Sequence, residues 1–338
     1  MSRRDVVPDI HLKSKLRATL ASVVVGIFLL TLKFAAWALT GSAAVLSDAA
    51  ESVINVAASI FAYASVRIAA EPPDEDHPYG HGKIEYFSAG FEGGLIVLAA
   101  IAILVTGVKG LAAPAELQSL GLGTMLTAIA AAVNGLLGVW LIRVGRRSNS
   151  VAIEADGQHL LTDVVTSVGV VVGLIIVKVT GWLIVDPILA ILLGLNILFA
   201  GWRLLRKSAS RLMDAADEDQ LDEIVDTLIT HRKPGDLQPH QLRSRRQGDR
   251  LHVDFHIFMP RWWDLTEVHT RVDEIEDALA ASLGSTLEAI IHVDPCRPSH
   301  CSLCAVTDCP VREAPQSGVE PWARETIASS GPHPDFDH

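Results

Sequence analysis

Cysteine is nearly missing from this 338-residue chain: there are four, all beyond residue 295. A disulfide framework spread through the fold is thereby excluded. Basic residues are in deficit too, 28 Lys and Arg against 39 Asp and Glu for a net charge of −11. No basic stripe is available to neutralise phosphates, which argues against nucleic acid as a partner. Nor is a secretory leader expected: residues 1–17 are basic and polar, and the apolar run behind them is too long for a signal-peptide core. The N-terminus is expected to stay in the cytoplasm.

What the chain does have is long apolar runs. Hydrophobic residues make up 49% of it and the mean hydropathy is +0.33, too apolar for an ordinary soluble chain of this length. The runs end near Arg206, and the remainder is polar and acidic. Six spans are expected, over about 18–39, 43–66, 87–111, 120–142, from 151, and 183–205. Arg and Lys border one side of this set, with only Lys109 and Lys178 on the other. The positive-inside rule then places both termini in the cytoplasm, in a plasma membrane of the bacterial inner-membrane kind.

Ionisable residues inside these runs point to function, because each costs about 2.5 to 3.5 kcal/mol at the bilayer centre unless a partner or a cavity receives it. His159 and Asp163 stand four apart at the start of the fifth run, so on a helix they share one face. A nitrogen and a carboxylate on one face are half a metal site; the bland alternative is a pair snorkelling at the span's aqueous end. In the second run Asp48, Glu51 and Asn55 are spaced three and four apart on one face. Asp48 suits a cap near the span's end, and Glu51 and Asn55 sit deeper. Lys33, alone in the first run, is expected to snorkel to the outer headgroups.

Between the second and third runs, prolines and glycines mark a loop that carries Asp74, His77 and His81, one carboxylate and two imidazoles over eight residues. Such a set can close on Zn²⁺ or a similar ion. Lys83 follows, free to pair with a carboxylate elsewhere.

Past Arg211 the pattern becomes helix (219–231), two strands (241–246 and 251–259) turning at 247–249, helix (265–283) and strand (287–293). This αββαβ order gives a compact α+β domain. Period-two alternation puts His252, Asp254 and His256 on one face of the second strand and its apolar partners on the other. The four cysteines follow as a knuckle, Cys296, Cys301, Cys304 and Cys309, with His300 as a spare ligand. In a cytosolic setting such clustering reads as thiolate metal ligation, for which Zn²⁺ is well suited. The boundaries expected are a 1–17 segment, a six-helix all-α transmembrane bundle over 18–207, a cytosolic domain over 208–295, the knuckle over 296–314, and a disordered tail over 315–338.

Taken together these residues resemble the cation diffusion facilitator family, over about 16–296. The resemblance is carried by Gly41-Ser42 before the second span, the His-Pro-Tyr-Gly-His-Gly-Lys loop at 77–83, the His159/Asp163 pair, and Ile-His-Val-Asp-Pro-Cys at 291–296. It implies homodimers that move divalent metal out of the cytoplasm in exchange for protons. It also implies a transport site from Glu51, Asn55, His159 and Asp163, and a loop site from Asp74, His77 and His81. The C-terminal domain would be metallochaperone-like, with a regulatory site at His240, His256, His269, His292 and Asp294, and a charge interlock would join Lys83 to Asp214. One departure stands out: where many members have His or Asp and then Asp four residues later on span two, this chain has Glu51 and Asn55. The site loses a formal charge, which Asp48 would restore if it turned inward.

Two functions follow. One is a proton-coupled exporter of a divalent cation, Zn²⁺ first and Fe²⁺, Mn²⁺ or Co²⁺ behind it, since metal and protons compete for the same titratable groups. The other is a transport-inactive, membrane-anchored metal sensor or scaffold. The exporter is preferred because Glu51, His159 and Asp163 would be costly leftovers in a scaffold. Neither reading makes the chain an enzyme.

Overall fold

The computed structural model describes residues 9–40, 43–112, 122–182, 184–248, 250–284, 286–319 and 321–328, without the side chains of 9–11, 36–37, 39–40, 43–48, 50–51, 122–127, 166–167, 170–175, 177–178 and 186. Two compact units result, Met1–Met213 and Asp214–His338.

The first unit is helical: α1 (Asp9–Thr40), α2 (Ala43–Ala69), α3 (Ile84–Ala112), α4 (Leu122–Arg147), α5 (Val151–Thr180) and α6 (Val185–Leu212). Among the described residues, α1 to α4 and α6 are long and apolar enough to cross a membrane. The remaining helix, α5, has the length, 30 residues, and bears Glu154, Asp156, His159 and Asp163 in its first half. It packs against α4 and reaches α2, α3 and α6 as well, so its polar residues face protein.

Several helices outrun their apolar stretches, because paired charges extend them. At the start of α1, Lys15 is buried 3.6 Å from Glu85 of α3, and Glu85 accepts a 2.6 Å hydrogen bond from Ser150 just before α5. Lys33 departs from the expected snorkelling: its ammonium donates to Ser52 Oγ of α2 at 2.7 Å, a partner within the bundle. Glycine sets the α4/α5 distance. A Cβ on Gly157 would stand 2.8 Å from the Gly138 carbonyl, and one on Gly138 would stand 2.9 Å from that of Gly157. Only a pair without side chains lets these backbones touch.

The second unit opens with α7 (Glu218–Thr230), then β1 (Pro239–Gln247), β2 (Arg250–Met259), α8 (Leu265–Leu283) and β3 (Leu287–Pro295). Gln247 pairs with Arg250, so β1 and β2 form a hairpin closed by two residues, the first being Gly248 at φ +61. The α8 crossover returns the chain to lie parallel to β2, giving a mixed sheet in the order β1-β2-β3. Alternation works as expected on β2: Leu251, Val253, Phe255, Ile257 and Met259 meet Ile224, Val225 and Leu228 of α7 and Ile275 and Leu279 of α8 in one core. An Asp264/Glu267 capping box starts α8 and Gly284, at φ +104, ends it. Arg271 of α8 is buried and satisfied by Asp236, Glu274 and the His231 carbonyl.

The tail corrects the expectation of disorder, as far as its described residues reach. Trp322 donates to the Leu237 carbonyl at 3.0 Å and stacks under the Arg232 guanidinium. A short α9 (Arg324–Ile327) places Ile327 in the core, and Arg324 reaches Asp222 at 3.3 Å. Composition suggested disorder because two anchoring apolar residues hardly register in a stretch dominated by Pro, Ser and Gly. Residues 329–338 lie outside the described part.

Candidate metal sites

Inside the helical unit, α2 and α5 bring together three of the expected transport residues. The Asn55 amide donates to Asp163 Oδ2 at 2.6 Å, and its Oδ1 lies 3.0 Å from His159 Nε2. An ionised carboxylate only accepts, so Asp163 turns the amide nitrogen toward itself and the carbonyl toward the imidazole. His159 then carries its proton on Nε2. Asp48 and Glu51 lie on α2, Glu51 four residues before Asn55, but their side chains are outside the described residues.

Below this triad is a second polar layer. Ser59, one turn after Asn55, donates to Asp156 Oδ1 at 3.1 Å, and Ser22 of α1 lies 3.1 Å from Ser59. Asp156 Oδ2 is buried without a hydrogen-bond partner, as are both carboxylate oxygens of Glu92 on α3. Both residues are fully buried.

The α2/α3 loop closes as its spacing suggested. Asp74 Oδ1 lies 3.1 Å from His77 Nδ1 and Oδ2 lies 3.3 Å from His81 Nε2, so the three side chains can meet one ion. The His77 backbone N–H, 2.6 Å from Asp74, holds that carboxyl below its ordinary range, with the two imidazoles adding to the effect. Lys83 donates to the Leu212 carbonyl at 3.5 Å, and Asp214 stands 3.9 Å from Arg245.

In the C-terminal domain His240 of β1, His256 of β2 and Asp294 of β3 converge, because His240 lies opposite His256 and Asp294 lies diagonally across from it on the same face of the sheet. Asp294 lies 3.1 Å from His256 and 3.8 Å from His240, and 3.5 Å from the more exposed His292. His269 does not join them. It sits on the outer face of α8, its side chain 74% exposed and 3.9 Å from Asp273. His240 stacks on Phe258, and the other neighbour of Phe258 is His300 of the cysteine knuckle. All four cysteines are free thiols and line one pocket. Burial pushes the Cys296 thiol up, against the pull of the Arg261 N–H and charge.

Comparison with known proteins decides the family. A profile of the cation efflux transmembrane domain matches residues 19–213, and one of the cation efflux protein cytoplasmic domain matches 216–296. The chain belongs to the cation diffusion facilitator family. Among its relatives, an uncharacterized transporter of Synechocystis sp. is 40% identical over 265 residues, 78% of this chain and 85% of that one. The cation-efflux pump FieF of Escherichia fergusonii is 30% identical over 281 residues, covering 83% and 92%, and that of Klebsiella pneumoniae subsp. pneumoniae is 31% identical over 279, covering 82% and 92%. The C-terminal profile stops at residue 296, the first cysteine of the knuckle.

In this facilitator, sequence reading passed over Ser22, Ser59, Glu92 and Asp156 as site residues. Two signals were present: Asp156 lies three before His159, and Ser59 four after Asn55, each on the face of a residue already singled out. Glu92 carried another, a carboxylate inside the third apolar run; for Ser22 no local signal exists, since its place depends on how α1 packs.

Proposed function

We propose that this facilitator exports a divalent metal cation from the cytoplasm by exchange for protons, through a site formed by Asn55, His159 and Asp163 with Glu51 one turn away on α2. The observation that carries the reading is the Asn55–His159–Asp163 contact inside the bundle, between a span and its most polar neighbour. A cation entering there takes the carboxylate and the imidazole nitrogen, so the Nε2 proton has to leave. Buried carboxylate oxygens without partners, those of Glu92 and Asp156, need a proton or a cation as company. They supply a second station where the proton can wait while metal occupies the first.

The protein acts as a homodimer in the inner membrane, both termini cytoplasmic, with the Arg146 and Arg147 end of α4 inward. Asp74, His77 and His81 capture metal at that end. His240, His256 and Asp294, with His292 at the rim, sense it. A sensor that no longer transports would have no use for His159 and Asp163 within α5.

The donor set is harder than a two-histidine site, with oxygen from Asn55 and Asp163 and one imidazole nitrogen, which moves preference toward Fe²⁺, Mn²⁺ or Co²⁺. The Irving–Williams order moves it back, and Zn²⁺ stays first. Transport competition among these ions, in wild type and Asn55→Asp, tests the assignment. The added carboxylate is expected to change the relative rates among these ions; an unaltered profile shows that Asn55 is not a ligand.

A further inference from the structure

The cysteine knuckle lies at and beyond the end of the family match and is not needed for transport as proposed. Cys296, Cys301, Cys304 and Cys309 line one open pocket. A tetrahedral Zn(Cys)₄ centre, with bonds of about 2.3 Å, sets its sulfurs about 3.8 Å apart. The knuckle is more open than that. Two other sets in this protein, Asp74/His77/His81 and His240/His256/Asp294, have three donor atoms within 4.8 Å of one another, and among the described residues no three of the thiols do. The sulfurs therefore surround a space and do not close on a point.

The surroundings suit a partly buried anionic sulfur centre. Backbone N–H groups of Arg261 and Glu313 point at Cys296 Sγ and Cys301 Sγ, each at 3.4 Å. The Arg261 side chain, held at 2.8 Å by Glu313, brings positive charge beside Cys296 and Cys301. Arg312 ties the loop into shape through the carbonyls of Cys301, Cys304 and Val306. Leu237, Trp262 and Val311 form apolar wall, and Cys304 is buried against Leu237 and Phe258.

We propose that this pocket holds an iron–sulfur cluster ligated by the four thiolates. In a cluster, irons and bridging sulfides stand between the cysteine sulfurs and hold pairs of them apart, which suits thiols that share a pocket without three of them meeting. The Cys296–Cys301–Cys304 spacing, four residues and then two, is that of the plant-type two-iron proteins, with the fourth cysteine supplied from further along the chain. N–H···S bonds and an apolar, partly cationic wall stabilise the net negative charge of such a centre.

The test is composition. The full chain, expressed with ample iron and purified in detergent without oxygen, is expected to contain iron and acid-labile sulfide in near-equal amounts. It should also show visible absorption that dithionite bleaches. Cys301→Ser with Cys304→Ser should abolish both signals; Cys309→Ser, a milder change, should lower them if the double variant fails to fold. Thiol-dependent zinc without labile sulfide overturns the proposal in favour of a structural zinc centre. Iron and sulfide that persist in all the serine variants, or a wild-type chain that stays empty with reactive thiols after reconstitution with iron and sulfide, overturn it as well.

Discussion

Asn55 is the residue on which the membrane site turns. One amide satisfies a carboxylate with its nitrogen and an imidazole with its oxygen, so two groups that would bind metal are held together when none is present. His159→Ala and Asp163→Ala each remove a donor. Efflux is expected to fall by roughly 100-fold or more, given that losing an outer partner of a ligand alone costs about 10 to 100-fold in affinity. Uptake into inverted vesicles measures this, and unchanged transport in both variants refutes the assignment. His159 and Asp163 were legible because charge is rare in an apolar run and four is a helical spacing. The Asn55 contact joins residues 108 positions apart in the chain, and no local pattern encodes it. Of the C-terminal set, alternation marked only His256 on a strand face; His240 and Asp294 came with the family resemblance, and the convergence of the three depends on the register of three strands. His269 shows the limit of marking by type, for it faces outward from α8.

At the scale of elements, helix and strand boundaries followed from apolar period and turn residues; α8 spans 265–283 as expected. Where helices ran on past their apolar stretches, the cause was a paired charge such as Lys15 with Glu85, which depends on a distant helix. Two changes probe the packing. Gly157→Ala puts a methyl 2.8 Å from the Gly138 carbonyl, and since backbone cannot yield cheaply, about 1 to 3 kcal/mol of strain is expected. It should appear as lower thermal stability of the detergent-solubilised protein together with reduced transport; wild-type values for both would show that α4 and α5 are not in contact there. In the C-terminal domain, Arg271→Ala leaves Asp236 buried without its cation and should cost about 3 to 5 kcal/mol. Denaturant unfolding of that domain reads the loss, and a change below about 1 kcal/mol would contradict a buried pair. The tail was misjudged for a comparable reason: Trp322 and Ile327 anchor it through contacts with residues far away in sequence.

At the scale of the whole molecule, the proposed metal stations are divided between the two units. The loop set at Asp74, His77 and His81 and the site between α2 and α5 lie in one unit, and the His240/His256/Asp294 set lies in the other. Class and architecture were plain from apolar runs followed by a polar, acidic remainder. On the proposed mechanism, metal and protons compete for His159 and its neighbours, so that flux of one drives the other. The measurement that tests it most directly is metal transport into proteoliposomes carrying an internal pH dye, with and without an imposed pH gradient. An acidic interior is expected to accelerate metal entry, and entering metal to make the interior more alkaline, both effects vanishing in His159→Ala. Metal entry of undiminished rate with no proton movement and no response to the gradient would contradict it.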